Sequence, residues 1–193
     1  MPYAAQSPVA GLALDLSVAA FAVGELSQAW RVRRGARRAD LRAEIVFRAL
    51  FFAGVLGLPI GRALAPDATT GDGAWLFAVG LVVGWLGLLL RWWSFASLGK
   101  YFTLVVKTSD DQPIVDRGPY RVLRHPSYSG LLLVVAGCGL MLGNWLGTTT
   151  AVVLVSTALV YRLRREESAL TAALGDRYRL FAQGRARLIP YVW

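Results

Sequence analysis

The chain has 193 residues, of which 55% are hydrophobic, and its mean hydropathy is +0.47. This apolar content exceeds that of an ordinary soluble domain, so it excludes a soluble globular protein and predicts an integral membrane protein. The net charge of +9 does not predict nucleic-acid binding, because the basic residues alternate with long apolar spans, and this pattern favours anionic membrane lipids as the partner.

The first apolar span runs from Pro8 to about Trp30 and is interrupted by polar residues, among them Asp15 and Glu25. These interruptions leave two topologies open, one in which this span crosses the membrane and one in which it does not. No Lys or Arg precedes the span, which disfavours a cleaved signal peptide. The arginine-rich segment RVRRGARRADLR follows it and is predicted to be a cytoplasmic loop by the positive-inside rule.

Two further spans are predicted from Ile45 to Leu64 and from about Ala74 to Trp93, joined by an outer loop with the sequence APDATTGDG. The third span ends in Arg91-Trp92-Trp93, which is typical of an aromatic and basic interface belt on the cytosolic side. Hydropathy falls between Ser94 and Leu123, where two short β-branched runs predict a compact cytosolic segment with a small hairpin.

The stretch DRGPYRVLRHPSYSGLLL holds the only histidine of the chain and precedes an apolar run. Gly118 and Pro119 favour a turn, and Pro126 suits the first position of a helix because it needs no backbone donor there. His125 would then lie near the N-cap, where free amides and the helix dipole favour an anionic group such as a cofactor carboxylate. The alternative is that His125 merely caps the helix.

The apolar run continues from about Tyr128 to Leu142, turns at Gly143-Asn144, and returns from Trp145 to Tyr161. Arms of about 15 residues are short for a span of roughly 20. The tail that follows has apolar residues at helical spacing and Gly175 as a predicted C-cap, so a separate cytosolic helix near the membrane is expected. Cys138 lies in the apolar run and is interpreted as a packing residue, not as a disulfide or metal ligand.

The predicted fold is therefore an all-α integral membrane protein of about five transmembrane helices, with a cytosolic cofactor-binding segment and a C-terminal helix. One domain is expected over residues 1–193, with three spans in residues 1–96 and a cofactor-binding and catalytic core in residues 97–190. The N-terminus is predicted outside and the C-terminus inside. The composition, rich in Arg, Ala and Gly, is bacteria-like and favours a bacterial plasma membrane with the active site facing the cytosol.

The motif GPYRVLRHPSYSG, followed by the apolar hairpin, by Arg162 with Glu166-Glu167, and by LGDRY, resembles the isoprenylcysteine carboxyl methyltransferase family over about residues 97 to 190. Leu174 stands where that family usually has Phe. The same Arg-His-x-x-Tyr core also resembles phospholipid N-methyltransferases and membrane sterol reductases that use NADPH. The residues that match the family pattern are Gly118, Tyr120, Arg124, His125, Pro126, Tyr128, Arg162, Glu166, Glu167, Gly175, Tyr178 and Pro190.

The resemblance implies that S-adenosyl-L-methionine binds in a cytosol-facing pocket and that a lipophilic or lipidated acceptor arrives from the bilayer. The cofactor-binding residues expected from it are Val115, Gly118, Tyr120, Arg124, His125, Tyr128, Leu132 and Glu167. His125 and Tyr128 lie on one helix face and Leu132 is one turn further along, which predicts a polar rim above an apolar wall. Tyr120 and Tyr128 could instead be interfacial anchors.

Arg162 and Glu167 are the expected catalytic residues, Arg162 because its fork matches a carboxylate and Glu167 through the resemblance. They lie about 140° apart on an ideal helix, so they cannot both contact one small group unless the helix bends or the ligand wraps it. Glu166 is four residues from Arg162 and is interpreted either as a family residue or as a surface ion-pair partner.

The predicted acceptor is amphipathic, most simply a carboxylate of an isoprenylcysteine-like or other lipid-like molecule, because methyl transfer to a carboxylate needs no base. A phenol or thiol is the second choice, with His125 or Glu167 accepting the proton. The apolar tail of the acceptor is expected in a groove between the hairpin arms, around Leu131 to Val135 and Val152 to Leu159. A sterol-reductase-like hydride enzyme and a nonenzymatic membrane scaffold remain as alternatives.

Overall fold

The fold is known from a computed structural model that describes residues 3–32, 41–70, 73–99 and 114–193. All regular elements in these ranges are helical, which confirms the all-α prediction, and β-structure there is limited to isolated bridges. The α-helices are α1 (Tyr3–Gln6), α2 (Pro8–Val32), α3 (Leu41–Leu64), α4 (Ala74–Leu98), α5 (Pro126–Leu142), α6 (Trp145–Leu174) and α7 (Asp176–Ala182), with a 3-10 turn at Gly118–Arg121.

Four of these helices are long and apolar enough to cross a membrane, and a fifth apolar helix is shorter. The helix α5 has 17 residues, so it rises about 26 Å against a hydrocarbon thickness of about 30 Å. This agrees with the prediction of about five spans. Both hairpin arms were expected to be short, however, and only α5 is, because α6 has 30 residues. The candidate spans are Pro8–Gln28, Glu44–Leu64, Ala74–Leu98 and Trp145–Leu174.

Two predicted boundaries are wrong. The helix α4 continues to Leu98 instead of ending at Trp93, and the small hairpin expected beyond it falls largely outside the described residues. The last span and the tail helix, predicted as separate elements, form the single helix α6. The residues after Tyr161 explain this continuity, because RLRREESALTAAL is rich in strong helix formers and contains neither Gly nor Pro.

The C-cap predicted at Gly175 is confirmed, since Gly175 has a φ of +55° and its amide donates to the Thr171 carbonyl at 3.0 Å. The turn between the hairpin arms is confirmed as well. Gly143 adopts a left-handed conformation with a φ of +65°, and the Asn144 side chain accepts a hydrogen bond from the amide of Gly147 at 2.8 Å. The Asn144 amide group also donates to the Ala65 carbonyl at the end of α3.

The helices pack as two antiparallel pairs, α4 with α5 and α3 with α6, which meet along α5 and α6. In the first pair the backbones touch: a Cβ atom added at Gly130 would lie 2.6 Å from the Gly87 carbonyl oxygen. Such close approach through small residues is typical of helices in membranes. Cys138 is half-buried against the core, as its interpretation as a packing residue requires. The buried core consists of Leu58, Leu131, Val135, Ala151, Val155 and Leu159.

Candidate active site

The candidate site begins at the 3-10 turn that precedes α5. Gly118 has a φ of +58°, and a Cβ atom added there would lie 2.4 Å from Ser97 Oγ, so only glycine lets the turn pack on the end of α4. This confirms the turn predicted at Gly118 and Pro119. The chain then pairs with its own C-terminal segment, where the amides of Arg124 and His125 donate to the carbonyls of residues 186 and 187.

His125 is the N-cap residue of α5, and Pro126 occupies the first position of that helix, as predicted. The imidazole does not cap the helix, however, because it makes no side-chain hydrogen bond to the helix amides. The alternative interpretation of His125 as a capping residue is therefore wrong. The backbone carbonyl of His125 accepts the first helical hydrogen bonds instead, from the amides of Tyr128 and Ser129.

The imidazole of His125 lies between two adjacent carboxylates of α6. Its Nδ1 atom is 3.8 Å from Glu166 Oε2, and its Nε2 atom is 3.5 Å from Glu167 Oε1, both longer than an ordinary hydrogen bond. Nε2 is buried and has no hydrogen-bond partner within the described ranges. The ring stacks on Tyr128 with centroids 5.4 Å apart and planes 5° from parallel. A buried nitrogen in this state can accept or donate a hydrogen bond to a ligand.

On one side of His125, Tyr128 connects two charged residues of α6. Its hydroxyl donates to Glu166 Oε2 at 2.6 Å and accepts from Arg162 Nε at 3.0 Å. Arg162 also donates through Nη1 to Glu44 Oε2 at 2.9 Å, and its guanidinium lies 4.6 Å above the centre of the Phe47 ring. Glu166 therefore belongs to a connected polar cluster, and the Tyr128 hydroxyl is held within it.

On the other side of His125, Glu167 accepts hydrogen bonds from two arginines. Arg124 Nη1 lies 3.1 Å from Glu167 Oε1, and Arg187 Nε lies 3.0 Å from Glu167 Oε2. Arg124 also donates to the carbonyls of Ala182 and Arg185, so it joins α5, α6 and the C-terminal segment. These contacts hold Glu167 as a carboxylate beside the imidazole.

Two buried tyrosines border the cluster. Burial raises the pKa of the Tyr178 hydroxyl, and the negative charge of Glu167 raises it further. This hydroxyl also lacks a hydrogen-bond partner among residues 3–32, 41–70, 73–99 and 114–193. The pKa of Tyr120 is raised by burial first and by the charge of Glu166 second. Both phenols therefore stay protonated and can donate hydrogen bonds at neutral pH.

The structure brings most of the predicted site residues together, but it divides them into two groups. Arg162 contacts Tyr128 and Glu44, whereas Glu167 contacts Arg124 and Arg187, as expected from their positions about 140° apart on the helix. Of the remaining predicted residues, Leu132 packs half-buried against the core, and Val115 is half-buried in the extended residues before the turn.

The interpretation of Arg91 as part of an interface belt is wrong. Its side chain is only 7% exposed and pairs with Glu25 of α2 through two hydrogen bonds of 2.5 and 2.8 Å. Arg91 Nη1 also donates to the Ser127 carbonyl in the first turn of α5. Glu25, which interrupts the first apolar span, thus neutralises the buried Arg91 next to the site. Sequence reasoning missed this pair, and it missed Glu44 and Arg187 as well.

The groove predicted between the hairpin arms does not exist, because the arms fill it with their own side chains. Leu131, Val135, Val155 and Leu159 are between 0% and 4% exposed and pack together in the core. Half-buried apolar side chains that pack against the same core as Tyr128 and Leu132 come instead from α2 and α3, and they are Phe21, Phe47 and Phe51. The residues that the structure describes contain no cluster of His, Cys, Asp and Glu suited to a metal ion.

An apolar helical bundle with a buried polar cluster at one end is the architecture of an integral membrane protein whose site lies at the end of its helices. Residues 78–172, which contain His125, Tyr128, Arg162, Glu166 and Glu167, match the sequence profile of the isoprenylcysteine carboxyl methyltransferase family. These residues therefore lie in a segment that is similar to that family, which confirms the resemblance drawn from its motifs.

Known relatives agree with this assignment. The chain is 32% identical over 120 residues to protein-S-isoprenylcysteine O-methyltransferase B of Arabidopsis thaliana, a match that covers 61% of each protein. It is 29% identical over 109 residues to the Schizosaccharomyces pombe protein-S-isoprenylcysteine O-methyltransferase, covering 55% of this chain and 46% of the relative. The chain thus spans less than two thirds of the length of these relatives.

A solved structure also resembles this fold. The eukaryotic intramembrane Ras methyltransferase, an isoprenylcysteine carboxyl methyltransferase, superposes with a TM-score of 0.53 at 27% sequence identity. The match covers 79% of this chain and 52% of that protein. It confirms the fold class of a helical membrane protein.

Proposed function

We propose that the chain is a membrane methyltransferase that moves a methyl group from S-adenosyl-L-methionine to the carboxylate of a lipophilic acceptor, such as an isoprenylcysteine. The observation that carries this proposal is the polar cluster of His125, Tyr128, Arg162, Glu166 and Glu167 within the segment that matches the family. Relatives named as protein-S-isoprenylcysteine O-methyltransferases support the choice of acceptor.

The residues around His125 fit this methyl donor. The donor carries a carboxylate, an amino group and a positively charged sulfonium, and it supplies an activated methyl group when bound. His125 Nε2 and the Tyr178 hydroxyl, which have no hydrogen-bond partner in the described part of the chain, are suited to hydrogen-bond its polar groups. The carboxylates of Glu166 and Glu167 would attract its positive charge. The residues proposed to hold the donor are Val115, Gly118, Tyr120, Arg124, His125, Tyr128, Leu132 and Glu167.

Arg162 is proposed to orient the acceptor. A guanidinium binds a carboxylate through paired, charge-assisted hydrogen bonds, which fixes the direction of the attacking oxygen. A carboxylate is already ionised at neutral pH, so the chain needs to supply alignment and exclusion of water more than a base. Phe47 lies beneath this guanidinium, and we propose that the apolar tail lies along Phe47, Phe51 and Phe21, towards the bilayer.

The site is further proposed to face the cytosol of a bacterial cell. The start of α3 lies beside the site, since Glu44 contacts Arg162. The arginine-rich sequence precedes this helix, and the positive-inside rule places such segments in the cytoplasm. A water-soluble donor made in the cytosol could then reach the cluster directly.

Binding calorimetry on the purified chain in detergent tests the class of enzyme. We expect S-adenosylhomocysteine, the product form of the donor, to bind and NADPH not to bind. Binding of NADPH alone would favour a sterol-reductase-like enzyme, and binding of neither would favour a scaffold.

Methyl transfer to prenylcysteine analogues, long-chain fatty acids and alkyl phenols then tests the acceptor. Transfer to the carboxylates is expected, with turnover nearly flat from about pH 6 to 8 because these groups stay ionised. If only phenols or thiols accept the methyl group, and turnover rises with pH through the pKa of a base, the acceptor is a phenol or thiol and not a carboxylate. The buried and unpartnered Nε2 of His125 is the observation that favours a base, since it could accept the acceptor's proton.

A further inference from the structure

Glu44 is a carboxylate of α3 that already binds the guanidinium proposed to orient the acceptor. Its Oε2 atom accepts from Arg162 Nη1 at 2.9 Å, and its Oε1 atom accepts from Arg48 Nε at 2.6 Å. The side chains of Glu44 and Arg162 are 14% and 9% exposed, whereas that of Arg48 is 60% exposed. The contact with Arg162 is therefore shielded from water, and the contact with Arg48 lies at the surface.

The charges around Arg162 disfavour a further carboxylate. The guanidinium faces Glu44 directly and shares the Tyr128 hydroxyl with Glu166, so the described residues already place two carboxylates beside it. An acceptor carboxylate that joined this arrangement would lie against like charges, which raises its free energy. If the acceptor binds Arg162, Glu44 has to give up that contact.

The position of Arg48 makes this exchange feasible. Glu44 and Arg48 lie four residues apart on the same face of α3, so Glu44 can leave Arg162 and still keep a cation as its partner. Glu44 also lies in the first turn of α3, where the helix dipole favours a negative charge. Neither residue belongs to the segment that matches the family, which runs from residue 78 to 172.

We propose that Glu44 is a specificity-determining residue that competes with the acceptor carboxylate for Arg162. This inference rests on the proposed function, since it takes Arg162 as the residue that binds the acceptor. A neutral lipid has no anion to offer Arg162 in exchange for Glu44, so it leaves this contact closed. An acceptor with a carboxylate replaces one charge-assisted contact by another, and the site thereby selects the carboxylate over neutral molecules with the same tail.

The test compares two ligands on the purified full chain in detergent, with S-adenosylhomocysteine present. The ligands are N-acetyl-S-farnesylcysteine and its carboxamide, which have the same tail but differ in charge. In the Glu44→Gln variant we expect the dissociation constant of the carboxylate to fall about tenfold, because the competing charge is gone and Arg162 is available in a larger fraction of molecules. The dissociation constant of the carboxamide should change less than about twofold.

Two further variants sharpen the comparison. Arg48→Gln removes the alternative partner of Glu44, so it should raise the dissociation constant of the carboxylate several-fold, opposite to the effect of Glu44→Gln. Arg179→Gln is the matched control, because it also removes one exposed arginine from an ion pair, with Asp176 on α7. It should leave both constants unchanged.

Each remaining outcome has a definite meaning. If Glu44→Gln leaves the carboxylate affinity unchanged, weakens it, or changes both ligands equally, Glu44 only positions Arg162 and the competition is refuted. A wild-type chain that binds the donor product and the carboxylate keeps the proposed function in either case. A wild-type chain that binds neither ligand overturns the proposed acceptor, and this inference is overturned with it.

Discussion

Tyr128 connects the two halves of the charged cluster through one hydroxyl, which bonds to Glu166 and to Arg162. We expect Tyr128→Phe to lower kcat/KM for the carboxylate acceptor by about 10- to 100-fold, because the buried Arg162 and the half-buried Glu166 each lose a hydrogen bond worth roughly 1–3 kcal/mol. Methyl-transfer kinetics on the purified protein measure this loss. Tyr161→Phe is the control, since Tyr161 lies on the same helix as Arg162 under Arg165 and outside the cluster.

An interfacial anchor at position 128 predicts a different result. The phenylalanine ring keeps nearly all the apolar contacts of tyrosine, so an anchor would lose little when the hydroxyl is removed. If Tyr128→Phe retains the activity of the Tyr161→Phe control, the hydroxyl has no part in the reaction.

His125 offers a buried nitrogen without a hydrogen-bond partner among the described residues, next to two carboxylates. We expect His125→Ala to weaken S-adenosylhomocysteine binding about tenfold or more, because a ligand hydrogen bond and the ring that supports Tyr128 are both lost. Calorimetry in detergent measures the affinity, and the thermal unfolding midpoint checks that the variant is folded. An unchanged affinity would remove His125 from the donor site.

At the level of the helices, α2 is joined to the site end of the bundle by the ion pair of Glu25 and Arg91, which also reaches the first turn of α5. Removal of one partner leaves the other charge uncompensated, so Arg91→Met should lower the free energy of unfolding by about 3 kcal/mol. Replacing both residues, as Glu25→Leu with Arg91→Met, should restore most of this loss. Denaturant titration in detergent provides the measurement.

The exposed pair of Arg179 and Asp176 serves as the comparison for this prediction. Their side chains are 66% and 86% exposed, so Arg179→Met should cost less than about 1 kcal/mol. An equal loss for Arg91→Met and Arg179→Met would show that α2 is not held by the buried pair. In that case Glu25 would be tolerated in the apolar span only because its side chain is 28% exposed.

For the whole molecule, the C-terminal segment and His125 lie on the same side of the membrane. The His125 amide donates to the carbonyl of Arg187, and the amides of Leu188 and Ile189 donate to the carbonyl of Trp193. We therefore expect a reporter fused after Trp193 to be active only in the cytoplasm, as the positive-inside rule requires for the loop between α2 and α3. An external reporter signal would overturn the proposed orientation, and a fusion in the loop after Leu64 should report the opposite side.

Local signals in the sequence predicted the backbone of the site correctly. The turn at position 118 has a positive φ that glycine permits, Pro126 suits the first position of α5, and Gly175 ends α6. Each of these signals depends on only a few neighbouring residues. The continuity of α6 was missed because the change from apolar to charged residues after Tyr161 marks where the helix leaves the apolar core, not where it ends. Hydropathy reports the surroundings of a helix, and helix propensity reports its length.

The side-chain partners of the site were not predictable from the same signals. Glu44 meets Arg162 across 118 residues of sequence, and Glu25 meets Arg91 across 66. Glu25 appeared in the sequence only as an interruption of an apolar span, and Glu44 lies just before the second predicted span. No neighbouring residue indicates the partner of either acid. The roles of Arg162 and Glu167 in the reaction stay predictions, because the structure shows their contacts and not their chemistry.

The pairing of Arg187 with Glu167 has a consequence for how the protein is made. Ribosomes synthesise the chain from the N-terminus, so Arg187 leaves the exit tunnel after every helix described here has been translated. A chain that ends before residue 187 would therefore leave Glu167 with Arg124 and without Arg187. The polar cluster is completed only by the C-terminal segment, and a released chain truncated after Ala186 should insert its helices without forming an intact site.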